Sequence, residues 1–392
     1  MGPEESGAAI RQTKKSNSRV TFNACSPSAQ DPWAWLGEYR REDNMRFVGR
    51  GGFPPTVAAA AALMLSLLLT LGAARAQDKT FVMKVTTPTI NDAPHLLAKN
   101  FAAAVERDSG GRIKSEVYPA SQLGSIPRQI EGVQFGAIQA AVIPPEFYVG
   151  VDERFEVMAA PGMVDSLEHG QRIAADPAVL KLMLGLGADK GLHGAGMFIA
   201  QPDSLVSKTP IRHLADFEGK KVRIFASDFQ SVALKRLGAT PVAMTLADVL
   251  PALQQGAIDG AIAGITVFSA FHYQDAAKYV TEINQPSIFL MLEISKKWYE
   301  SLPPDLRQVI DKDAATETVA INPAAIDLFN KARQAWVDKG GELISLPRDE
   351  QAKLVQTLAS VGEDVSKSKP PVHDAYEIVA DAAKRTRQAP TQ

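Results

Sequence analysis

The chain has almost no cysteine. Its 392 residues contain one, Cys25, close to the N-terminus. Disulfide stapling, thiolate catalysis and thiolate metal sites are therefore excluded for everything after it. Long Lys/Arg runs are also missing, and the formal net charge is -2, so nothing favours a nucleic-acid partner. No Gly-x-Ser-x-Gly, Walker or Gly-x-Gly-x-x-Gly motif occurs. The six histidines (His95, His169, His193, His213, His272 and His373) never fall at i, i+3 or i, i+4. A local His-based metal site is not suggested, and no cofactor or metal is expected. Apolar content of 45% and charged content of 22% are those of an ordinary globular protein, and the length allows two or three domains.

Residues 1–44 are polar and irregular. Met45-Arg46-Phe47-Val48-Gly49-Arg50 then leads into an Ala/Leu-rich block from Thr56 to Gly72, ending at Ala74-Arg75-Ala76. A positive start, an apolar middle and an Ala-x-Ala end make a secretory signal peptide over 45–76 rather than a membrane anchor. Signal n-regions are short, so Met45 is expected to be the true start, with 1–44 a disordered upstream mis-annotation. Cleavage after Ala76 leaves an exported chain with no cysteine and no site for a lipid anchor. Its expected location is the periplasm.

Downstream, strands alternate with helices. Thr80 to Thr86, Arg112 to Tyr118 and Ala137 to Ile143 read as buried strands, separated by helices from His95 to about Asp108 and from about Ser125 to Phe135. That order implies a parallel, doubly wound sheet. Met158 to Met163 reads as a further strand-to-loop passage, Leu167 to Leu184 as one helix, and Gly194 to Gln201 as a strand entering a second lobe. The clearest element is 219–260: strand, helix, short strand, helix, strand. Its first strand, Lys221 to Phe225, leaves Gly219 and carries Arg223 towards its far end. Ligands of open α/β domains bind at such strand ends, and an Arg there is a fork for a carboxylate. Tyr279 to Asn284, Ser287 to Ile294 and Gly340 to Pro347 are further strands. Leu302 to Trp336 is a long helical region broken near Asn322-Pro323, and Arg348 to about Ala383 is mostly helical. First-lobe residues are expected at 77–201 plus about 287–328. The second lobe takes 202–286 plus about 329–392.

Several residues sit where a cleft would be. Thr87 and Asn91 follow the first strand, Glu146 and Phe147 follow the third, and Gln201 lies where strands pass between lobes. Phe268 has even claims to stack on a ligand or to fill core. Asp259-Gly260 reads as a turn, not as catalytic machinery.

The segments Ser109-Gly110-Gly111-Arg112-Ile113, Tyr118 to Gly124 (YPASQLG), Glu131 to Ile138 (EGVQFGAI), Gly219 to Arg223 (GKKVR), Leu237 to Val242 (LGATPV) and Ala252 to Gly260 (ALQQGAIDG) occur in this order. With them the chain resembles the substrate-binding proteins of tripartite ATP-independent periplasmic (TRAP) transporters, dicarboxylate-binding (DctP) type, over about Phe81 to Thr357. The resemblance implies a two-lobed α/β periplasmic-binding-protein fold, with a cleft between the lobes and a long helix spanning both. It implies hinge closure on an organic acid, and delivery to a small and a large membrane subunit driven by an ion gradient. It also implies that Arg223 pairs with the ligand carboxylate. The chain departs from the pattern at Ala261-Ile262-Ala263-Gly264, at Gln201-Pro202-Asp203-Ser204 and at Asp248-Val249-Leu250, where polar or basic ligand contacts are common. These departures favour a smaller or more apolar monocarboxylate, such as a keto acid or aromatic acid, over a heavily hydroxylated one. Service to another import system or to a sensor kinase is the alternative, and no nucleophile–base constellation supports an exported enzyme.

Overall fold

The computed structural model describes residues 79–387, apart from Ala226 and Pro286. The expected signal peptide and the segment before it lie outside the described residues. Among those described, no helix is long and apolar enough to cross a membrane.

Strand β1 (Phe81–Thr86) alternates buried Phe81, Met83 and Val85 with more exposed Val82 and Lys84. Helix α1 (Ala93–Asp108) starts at Asp92, whose side chain accepts from the His95 N–H, and it has Pro94 in its first turn. It stops at Gly110 and Gly111, both in the left-handed region. β2 (Ile113–Tyr118), α2 (Ile126–Phe135) and β3 (Ala140–Ile143) complete the first unit. Next come two short helices, α3 (Leu167–Ala174) and α4 (Pro177–Met183). One helix was expected here. Pro177 breaks it, and Asp176 caps the second piece through the N–H groups of Ala178 and Val179. The expected strand near Met158 is instead a 3-10 stretch, Glu153–Ala159. An apolar run this short does not distinguish a strand from a buried helical turn.

β4 (Leu192–Pro202) is followed after one residue by β5 (Ser204–Ser207). Then come β6 (Lys221–Ile224), α5 (Asp228–Arg236), β7 (Thr240–Ala243), α6 (Leu246–Gln255), β8 (Gly260–Ala263) and α7 (Ile265–Ala270). The chain continues through β9 (Tyr279–Glu282), β10 (Ser287–Ser295), α8 (Lys296–Ser301), α9 (Pro304–Ala320) and α10 (Asn322–Asp338). β11 (Glu342–Ser345), α11 (Arg348–Leu358), α12 (Val361–Ser366) and α13 (Pro370–Thr386) end it.

The strands form two sheets, ordered β2-β1-β3-β10-β4 and β11-β9-β5-β8-β6-β7. β1 pairs in parallel with β2 and β3, whereas β10 runs antiparallel between β3 and β4. The chain passes between sheets where β4 becomes β5 and again where β9 becomes β10. α9 packs on α1 and β4, while α10 packs on α7, β4 and β11, so this helix pair bridges both sheets. The core lies in two layers on opposite faces, and each layer runs through both sheets. Phe198 belongs to one and its neighbour Ile199 to the other.

The C-terminal helix departs from the lobe assignment read from the sequence. α13 packs on α3 and α4: Arg172 donates to Thr386 O at 2.8 Å, and His169 Nε2 lies 3.0 Å from Ala383 O. Its stripe of Val372, Ala375, Val379, Ala382 and Ala383 is buried there, which carries the end of the chain back onto first-lobe helices. Sequence periodicity identified that stripe without indicating which lobe would cover it.

Candidate functional site

Arg223 is the third residue of β6 and is only 1% exposed. Two backbone carbonyls brace its guanidinium. Nε donates to Met244 O at 3.2 Å and Nη1 to Ile262 O at 3.1 Å. The ring of Phe225 lies under it, 5.0 Å from Cζ. Nη2 has no partner among the described residues. Burial pulls the pKa down to about 10, and nearby Tyr273 and Asp203 oppose that fall, so the group is cationic at neutral pH. A buried, braced cation with one idle nitrogen is suited to holding an anion.

Arg223 lines a cavity between the two sheets. Pro88, Thr89, Asp92, Pro144 and Phe147 form its first-lobe wall, and Phe225, Leu246, Ala263 and Gly264 face them from the second. Ala200, Gln201, Ile288 and Leu290, on the two strands that pass between sheets, form the back. The wall is therefore largely apolar.

Gln201 stands on this wall, and its amide is held at both ends. Nε2 donates to Thr266 Oγ1 at 2.6 Å, and Oε1 accepts from the Thr266 N–H at 3.3 Å. Gly264 lies flat against that amide, where a Cβ would overlap it. Phe147 is also on the wall, with its ring centroid 5.2 Å from that of Phe225. Thr87 is fully buried beside the wall; its N–H donates to Tyr118 O, and its hydroxyl has no partner among the described residues.

Three other candidates lie off the cavity. Asn91 is exposed, in the left-handed region at φ 59°, with its N–H donated to His95 Nδ1. It forms the turn into α1 and is not among the residues lining the cavity. Phe268 is core, packed against Tyr273 and Trp336 with centroids at 5.7 and 6.2 Å. α7 begins at Ile265, and Val267 of this helix lines the cavity while Phe268, the next residue round, is turned into the core. Glu146 is buried one residue before Phe147 with Oε2 unpartnered among the described residues, and it does not reach the wall. Burial pushes its pKa to about 8, reinforced by the negative charges of Asp203 and Glu156.

Sequence reasoning missed Asp92, Thr89 and Asp203. Asp92 had a visible signal, as an Asp two residues before Pro94 is a helix N-cap pattern. Asp203 sits between β4 and β5, is buried, and accepts from Gln230 Nε2 at 3.3 Å; burial raises it to about 7.

A ligand-sized cleft between two α/β lobes joined by crossing strands defines a binding protein of the two-lobed solute-receptor class. The model of the bacterial extracellular solute-binding proteins, family 7, matches residues 85–368, and the chain belongs to that family. It is 28% identical over 274 residues to the C4-dicarboxylate-binding periplasmic protein DctP of Rhodobacter capsulatus, covering 69% of this chain and 81% of that one. Among solved structures it is similar to a TRAP periplasmic solute-binding protein of Desulfovibrio salexigens with bound orotic acid. That match has TM-score 0.74 and 17% identity, over 79% of this chain and all of the other. Another, from Shewanella oneidensis with bound succinate, has TM-score 0.72 and 23% identity, over 78% of this chain and 99% of the other. Family and fold are those of substrate-binding proteins.

Proposed function

We propose that this chain is a periplasmic receptor that captures an organic acid by closure of its two lobes and hands it to the membrane subunits of a TRAP transporter. Arg223 holds the ligand carboxylate. The observation that carries this is its guanidinium, buried on the lining of the cavity and braced on two carbonyls, with Nη2 unpartnered among the described residues. The apolar walls favour an acid with one carboxylate and a compact alkyl or aryl body. Relatives named for C4-dicarboxylates, or solved with succinate or orotic acid, support a carboxylate ligand in general.

A thermal-shift screen of mono-, di- and keto-carboxylates identifies the ligand, since binding to the native state alone raises the melting temperature. Calorimetry with the best acid then tests the anchor. Arg223→Ala is expected to lose about 2–5 kcal/mol of binding free energy. Unchanged affinity would refute the assignment. Small-angle scattering on the same samples should show compaction with ligand, and a constant radius of gyration would rule out lobe closure.

A further inference from the structure

We propose that Asp92 is a charge filter that makes the cavity select acids with a single carboxylate and reject those presenting a second anion to the first-lobe wall. This rests on the reading of Arg223 as the carboxylate anchor. Of the side chains on the wall, Arg223 and Asp92 are the two that carry a formal charge, and they stand on opposite lobes. Asp92 is buried, and among the described residues no basic side chain lines the wall beside it. Its position is fixed, because Oδ1 accepts from the His95 N–H at 3.2 Å as the N-cap of α1. Turning the carboxyl away would forfeit that cap. The helix start, otherwise a favourable place for a ligand anion, is thus already occupied by the protein's own carboxylate. Burial raises Asp92 to about 6, still below neutral, so it is charged at pH 8.

A ligand seated on Arg223 presents its far end to Asp92. An alkyl or aryl end meets Pro88, Pro94 and Phe147. A second carboxylate meets an anion in a site shielded from water, where like charges are costly. The filter separates this chain from a C4-dicarboxylate receptor while leaving the first carboxylate's contact intact.

The test uses two acids that differ only at that end. Succinate carries a carboxylate where 4-methylpentanoate carries an isopropyl group. By calorimetry at pH 8, the unmodified protein should prefer 4-methylpentanoate by roughly tenfold or more. Asp92→Asn and Asp92→Ser each retain an N-capping side chain, and thermal melting checks that each is folded. In both, the preference should fall by about tenfold as succinate gains affinity. The filter is overturned if the unmodified protein binds succinate as tightly, or binds neither acid at about 10 mM. It is also overturned if both variants keep the original ratio. Arg223→Ala separates the two claims. If it loses 4-methylpentanoate while the Asp92 variants keep the ratio, only the filter falls. If it binds 4-methylpentanoate unchanged, the anchor reading falls as well.

Discussion

At the scale of single residues the site depends on close approach. Gly264 lets the chain pass against the Gln201 amide, which is itself tied to Thr266 from both ends. Its φ is -79°, so the glycine is needed for space and not for backbone freedom. Gly264→Ala should therefore displace Gln201 and open both hydrogen bonds. Overpacking of this kind costs about 1–3 kcal/mol, and two lost buried bonds add to it. Chemical denaturation should show the drop in stability, and calorimetry a ligand affinity weakened by about tenfold or more; a variant matching the unmodified protein in both would show that the amide can move freely. Arg223 was legible in the sequence because a glycine, a charged–apolar alternation and a strand end converge on it. Phe268 was not. The run Ala261 to Ser269 is apolar throughout, and only the start of α7 at Ile265 turns that ring into the core.

At the scale of elements, the segment entering α13 ties the lobes together. Lys369 Nζ lies 2.9 Å from Glu156 Oε1 on the first lobe and 2.7 Å from Asp228 Oδ2 at the start of α5 on the second. Glu156 Oε2 also accepts from the Asp228 N–H at 2.9 Å. Glu156 is buried, so removing Lys369 leaves its carboxylate uncompensated. Lys369→Ala should cost about 1–3 kcal/mol, discounted because the lysine is partly exposed, and it should loosen lobe contact. A melting temperature insensitive to the change, and an unaltered scattering profile, would show that the bridge is decorative. Most elements were readable from periodicity and punctuation; Gly136, for instance, closes α2 in the left-handed region as a glycine after an apolar run suggests. The bridge was not readable, since Glu156 and Lys369 are 213 residues apart and nothing local pairs them.

At the scale of the whole molecule, buried acids make stability depend on pH. Glu146 is raised from 4.5 to about 8 and Asp203 from 3.8 to about 7, burial being the leading cause in both. Each binds its proton more tightly in the folded state than in the unfolded chain. Their contribution is full below the unfolded values, and it is lost as pH rises through the folded ones. The melting temperature should therefore fall between about pH 5 and pH 8.5, and Glu146→Gln should flatten that slope. A melting temperature that holds or rises over this window would mean that these carboxyls are charged in the fold. The two-lobed plan was legible from element order, whereas this acidic cluster arises only where Glu146, Glu156 and Asp203 meet at the passage between sheets.

The strand order of the first sheet bears on how the chain acquires its shape. β10 lies between β3 and β4, yet it is made of residues 287–295. β3 and β4 meet only through it, so a chain emerging N-terminus first cannot close this sheet until nearly three quarters of its length is out. The second sheet waits longer, because β11 ends at Ser345. Such long-range pairing makes folding late and slow. Neither sheet is complete before residue 295 has been made, so the early strands wait with an edge unpaired for partners made late in the chain.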